Sequence, residues 1–228
     1  MILAAATAAP SMTPSEVPPI VLRAAQQTVR TEAGIVSYRT HRVFDVHAGP
    51  SSRHDDMVFT AVYQDGCLVK MRIISDTIGG KQASAQQIAQ TEQSYEHPKP
   101  GDLFDRPYDP RYVNDYQYEV TADETVHFTA VNRSAGYGDG TFTVDSVYDV
   151  ASVTYSPTVL PPHATSGTVV DQRAQVLPNY WAVTQETQQY RGHYSIFGAA
   201  GNVVITNSAF QRFSTLEAAL AALDAGRI

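Results

Sequence analysis

Between residues 116 and 155 apolar and polar side chains alternate, and the alternation restarts after each short polar break. Tyr116, Tyr118 and Val120 share one parity, with Gln117, Glu119 and Thr121 on the other. After Ala122-Asp123-Glu124, Val126, Phe128 and Ala130 alternate with His127, Thr129 and Val131. Phe142 and Val144 follow Gly138-Asp139-Gly140, and Val153 and Tyr155 close the run. A period of two places successive side chains on opposite faces of a strand. Breaks of a few residues join consecutive strands as antiparallel neighbours. The segment therefore predicts a β-meander with one aromatic and aliphatic face.

The rest of the chain extends the same sheet. Pro18 and Pro19 suit a first helical turn, with Ile20, Val21, Ala24, Ala25 and Thr28 as its apolar stripe to about Glu32 and Gly34 as its stop. Residues 35–47 read as a long strand carrying Val36, Tyr38, Thr40, Arg42 and Phe44 on one parity, and 49–55 as a polar loop. Strands over 57–64 and 67–75 meet at Asp65-Gly66, a hairpin signal. Phe59, Ala61 and Tyr63, then Val69, Met71 and Ile73, form their candidate inner sets, with Lys70 and Arg72 on a solvated face.

Gly79-Gly80 interrupts the sheet, and Ser84 with Gln87 has capping-box spacing for a helix over 85–95. A Pro-rich aromatic loop spans 98–112, and another long connection 157–178. Further strands are expected over 180–187, 189–197 and 203–213, followed by a helix opened by Ser214 and Glu217. The fold class expected is mainly β (α+β): a curved antiparallel sheet or half-barrel of about nine to eleven strands, covered by two or three helices.

Charge and cysteine content exclude several functions. The 23 acidic and 16 basic side chains leave a net charge of −7. Such a surface has no basic run with which to displace counterions from a nucleic acid or to dock on anionic lipid. Cys67 is the sole cysteine, so no internal disulfide or thiolate metal site can form. It reads as a small half-buried apolar residue, with a reactive thiol as the alternative.

Residues 1–17 read as a signal-peptide remnant or flexible leader, from the small apolar run Met1 to Ala9 and the Pro, Ser and Thr that follow. Residues 18–228 then form a single domain. Export to the periplasm or beyond is expected, with a frayed cytosolic terminus as the alternative. No stretch reaches the roughly 20 apolar residues of a spanning helix.

Catalytic signatures are sparse. The seven histidines include no helical i, i+4 pair, and no metal site or cofactor is expected. His54-Asp55-Asp56 reads as a solvated loop rather than an acid–base pair. There is no Gly-x-Ser-x-Gly elbow, and Gly136-Tyr137-Gly138-Asp139-Gly140 reads as a hairpin turn rather than a phosphate loop. What stands out is 13 Tyr and 8 Phe, enough to line an apolar cavity under a sheet with few helices to fill it.

Three stretches carry a family resemblance. They are the first helix leading through Gly34-Ile35-Val36-Ser37-Tyr38 into a long strand, the hairpin Val62 to Lys70 followed by a short helix, and Gly140-Thr141-Phe142-Thr143-Val144-Asp145. In this element order, over residues 18–213, the chain resembles the LolA/LolB-like lipoprotein-carrier superfamily, which includes sensor domains of the RseB type. The resemblance implies an antiparallel half-barrel with an apolar cavity for acyl chains or lipoproteins, a periplasmic location and no enzymatic activity as a rule. A violacein-pathway enzyme is similar in fold, so fold alone does not exclude chemistry. No arginine here can be matched from sequence to the one that tethers the lid in some members.

The expected function is a carrier-like protein, not an enzyme, that holds a lipid or lipidated protein; transfer of the cargo to a protein partner is left open. The expected lining is Tyr38, Phe59, Tyr63, Met71, Tyr116, Tyr118, Phe128, Phe142 and Tyr155, with 85–95 and 98–112 as the lid. A protein-interaction or sensor module with a closed cavity is one alternative. A small-molecule enzyme using His54, Asp55 or His163 is another.

Overall fold

The computed structural model describes residues 16–98, 103–194 and 197–228. Most of the leader read over 1–17 therefore lies outside the described residues. Helix α1 (Pro19–Thr31) has proline at its first position, where the missing N–H has no helical partner to lose. It buries Val21, Ala24, Ala25 and Thr28 and ends at Glu32. Gly34 then turns the chain at φ 105°, a conformation that only glycine adopts without strain.

Three long strands follow: β1 (Ile35–Ala48), β2 (Ser51–Gln64) and β3 (Cys67–Ile78). A two-residue strand β4 (Lys81–Gln82) and helix α2 (Ala85–Glu96) come next. Ser84 and Gln87 form the capping box expected from their spacing. A 3-10 turn at Val113–Asp115 leads into the meander of β5 (Tyr116–Val120), β6 (Val126–Ala130), β7 (Gly138–Val144) and β8 (Val150–Pro157). The chain ends with β9 (Ala164–Leu177), β10 (Tyr180–Tyr194), β11 (Phe197–Phe213) and helix α3 (Leu216–Asp224).

Among the described residues these strands form one antiparallel sheet of 11, in the order β4-β3-β2-β1-β11-β10-β9-β8-β7-β6-β5. The sheet curves but does not close, since β4 and β5 are separate edges, so the half-barrel expectation holds. The first long strand pairs with the last, β1 with β11, from Ile35↔Phe213 to Ala48↔Ala199.

Several sequence-based boundaries change. Residues 51–55 are strand, because backbone pairing to β1 continues to the turn at Gly49-Pro50 whatever their polarity. The connection expected over 157–178 contains the 14-residue strand β9. The break expected near residue 188 is absent, and β10 runs unbroken to Tyr194. Gly138-Asp139-Gly140 lies within β7, where a side chain on Gly140 would collide with the Thr154 carbonyl. Helix α3 is capped by Thr215, whose side chain accepts from the Ala218 N–H, and not by Ser214. Cys67 is exposed rather than half-buried.

Helices divide between the two faces. α1 and α2 cover the inner face. α3 packs on the outer face, with Ala219 and Leu223 against Val62. Lys70 and Arg72, read as solvated, pair there with Asp224 at 2.7 and 3.3 Å. No helix among the described residues is long and apolar enough to cross a membrane.

Candidate functional site

The ladders place all nine expected lining residues on the inner face, in two separate clusters and a stack. Tyr116, Phe128 and Phe142 are buried with Tyr108 beneath Val21, Ala24 and Ala25 of α1, and Tyr118 and Tyr155 pack at the margin. Tyr118 donates to the carbonyls of Pro107 and Val113 at 2.6 and 2.9 Å. Tyr155 stacks on Phe104 at 3.8 Å. Phe59 and Met71 are buried with Met57, Ala61 and Ile73 under Ile88 and Tyr95 of α2. Tyr38 and Tyr63 stack on each other at 4.4 Å, with Phe210 beside Tyr38. Burial pushes the Tyr63 phenol up to about 12.

Between these covered regions the far ends of the longest strands form a groove of about 400 Å³. Phe44 and Val46 of β1, Tyr190 of β10 and Val203 of β11 line it, and Pro161, Pro162 and His163 of the β8–β9 connection form one wall. None of the nine expected residues is among its lining. Two glycines shape it. Gly201 leaves the floor low, since a Cβ there would meet Val46, Phe44 and Tyr190 at ordinary contact distances of 3.8–3.9 Å. Gly192 lets the connection pack on β10, where a Cβ would strike the His163 carbonyl. That carbonyl accepts the His193 N–H at 3.0 Å.

The groove was hard to see in the sequence because its walls come from three distant strands and a proline loop. Phe44 and its parity set were the one available signal.

Deeper on the inner face the residues turn polar. Glu32, at the end of α1, accepts from both guanidinium nitrogens of Arg106 at 2.6 and 2.9 Å and from Arg173 of β9 at 2.6 Å. Burial alone would raise the Glu32 carboxyl, but the two guanidiniums outweigh it and hold the pKa below the usual range. Arg173 also donates to the Val150 carbonyl at 3.1 Å, and both guanidiniums lie over the Tyr108 ring. Asp109 joins Arg106 at 3.6 Å and Arg111 at 2.6 Å. Arginines thus tie α1 and the 103–111 segment to the sheet, although no tether was identified from sequence.

Next along β9 and β10, Asp171 and Glu186 face each other in register. Burial first, then Glu186, raises Asp171. Burial also raises Glu186.

The triplet His54-Asp55-Asp56 does not converge. His54 bonds Asp45 at 2.7 Å, Asp55 pairs with Arg53 at 2.6 Å, and Asp56 reaches His41 at 3.1 Å. His163 stands at the groove, whose lining includes none of the three. Among the described residues no group of three or more His, Cys, Asp or Glu is placed to hold a metal ion.

Neither a protein-family model nor a curated protein matches the chain. Solved structures do. A protein described as an outer-membrane lipoprotein-sorting domain, from Vibrio parahaemolyticus, has 11% identity and a TM-score of 0.47, with 91% of this chain and 97% of that one covered. A LolA superfamily protein from Nitrosomonas europaea has 9% identity and a TM-score of 0.35, covering 87% and 94%. A chain of the Pseudomonas aeruginosa MucA/MucB complex has 10% identity and a TM-score of 0.25, covering 86% and 98%. The chain is similar to these proteins. At such identities and scores, nothing about a ligand passes from them to it.

Proposed function

We propose that this protein is a carrier-like binding protein of the periplasm or exterior that holds the acyl chain of a lipid or lipidated protein on its inner face. The observation that supports this most is the groove, where Phe44, Val46, Tyr190 and Val203 of an otherwise covered face are left without a helix over them. Each methylene moved from water into such a groove contributes about 0.8 kcal/mol. A groove of this kind therefore binds by area and needs no catalytic group. Tyr38, Phe59, Tyr63, Met71, Tyr116, Tyr118, Phe128, Phe142 and Tyr155 extend the apolar surface when α1, α2 or the 103–112 segment moves aside. Cargo would then pass to a protein partner.

The test is displacement of a fluorescent fatty-acid analogue from the purified protein, with Gly201→Leu as the blocked variant. Uptake at one site per chain, lost in G201L while the melting temperature holds, supports the reading. Uptake that is absent, or equal in G201L, sinks it. The closed interaction module is the second reading, favoured by how completely α1 and α2 bury the two flanking clusters.

A further inference from the structure

A chain of hydrogen bonds leads from the groove into the polar interior. The Tyr190 hydroxyl donates to Gln188 Oε1 at 3.2 Å. Gln188 Nε2 donates to Glu186 Oε1. Both Tyr190 and Gln188 line the groove. Glu186 stands directly across the β9–β10 ladder from Asp171. Two buried carboxyls that face each other disfavour a second negative charge, so burial first and then Glu186 raise Asp171 and the pair favours holding one proton.

Two buried polar atoms here lack a hydrogen-bond partner among the described residues. Asp171 is 7% exposed, and its Oδ1 accepts nothing. Tyr108 is fully buried, and its hydroxyl is likewise unsatisfied. The Asp171 charge reaches the Tyr108 phenol and helps to raise it, behind the larger effect of burial. Buried polar groups normally find partners. Arg173 and Arg106 are paired with Glu32, while Arg42, which lines the groove and lowers Glu186 by its charge, reaches the Tyr95 hydroxyl at 3.4 Å. Among the described residues none of them forms an ion pair with Asp171 or Glu186.

We propose that Asp171 and Glu186, with the Tyr108 hydroxyl, form a head-group subsite for the ammonium of a long-chain amine whose tail lies in the groove. This rests on the groove reading above. An ammonium brings three donors and no acceptor, which suits two carboxyls and a phenol oxygen. Its positive charge replaces the shared proton, which leaves to solvent, so the charge of the site stays balanced. Charge-assisted hydrogen bonds in a buried setting are the strong ones.

The experiment is titration calorimetry of dodecylamine, dodecanol and dodecanoate against the wild type and an Asp171→Asn/Glu186→Gln double variant. The amine is expected to bind the wild type roughly tenfold or more tightly than dodecanol. That preference should vanish in the double variant while dodecanol binding stays the same. Titrations at about pH 5.5, where the pair still holds its proton, in two buffers of different ionisation heat should show about one proton released per amine bound, a readout that needs no variant.

Equal binding of amine and alcohol, absence of proton release, or a preference that survives in the double variant would overturn the subsite. The last outcome would mark attraction to the acidic surface as a whole. Failure of all three chains to bind would instead overturn the groove reading.

Discussion

Glu32 takes two guanidiniums at once from a position that is nearly buried. Removing a single member of such a group leaves the others charged and unpaired, which costs more than the intact group contributes. Glu32→Ala should lower stability by about 3–5 kcal/mol in urea unfolding. Arg111→Ala should cost under about 1 kcal/mol, because Arg111 is largely exposed although it holds the same Asp109. A small effect at Glu32 would show that the tie between α1 and β9 is not structural. Polar residues like these also mark what the sequence left illegible. Asp171 and Arg173 sit at inner positions of β9, so the apolar alternation that revealed the meander fails there. Their strand consequently read as loop. The rule that buried positions are apolar breaks at the very place where the candidate site gathers.

Among the elements, α2 has an unusual attachment. None of its residues is buried, yet Glu92 accepts the Ile73 N–H at 2.8 Å and Glu96 the Met71 N–H at 3.1 Å. Those N–H groups lie on the edge of β3 that β4 is too short to pair. Two helix carboxylates thus stand in for a missing strand and blunt a sheet edge. Replacing both with alanine should speed amide exchange at Met71 and Ile73 and across α2, leaving the β5–β8 amides protected. Exchange that rises equally everywhere would contradict this local role. The capping box of α2 and the meander were legible because each depends on neighbours in sequence. The ends of β2 and β10 were not, because hairpin pairing to β1 and to β11 carries polar residues into strands that local preference would stop.

For the molecule as a whole, the buried acids pull stability in two directions with pH. Asp171, raised to about 7 by burial and by Glu186, favours the fold while the pair is protonated. That contribution is complete below the unfolded pKa of about 4 and is lost as pH rises through the raised value. Glu32 and Asp109 are held below the usual range by their arginines. They contribute above about pH 4 and lose that contribution as pH falls. The melting temperature should therefore peak in mildly acidic solution and decline toward about pH 8, and Asp171→Asn should flatten the decline on the alkaline side. A melting curve that rises through this range would refute the proton-sharing pair.

The pairing of β1 with β11 joins the first long strand to the last. A loop of most of the chain must close before β1–β3 join the rest of the sheet, and such distant contacts form slowly. While the chain is still being synthesised, β1–β3 and the β5–β8 meander can form only as separate islands. The groove spans the seam of β1 with β11, so the groove and the completed fold arrive together with the final strand.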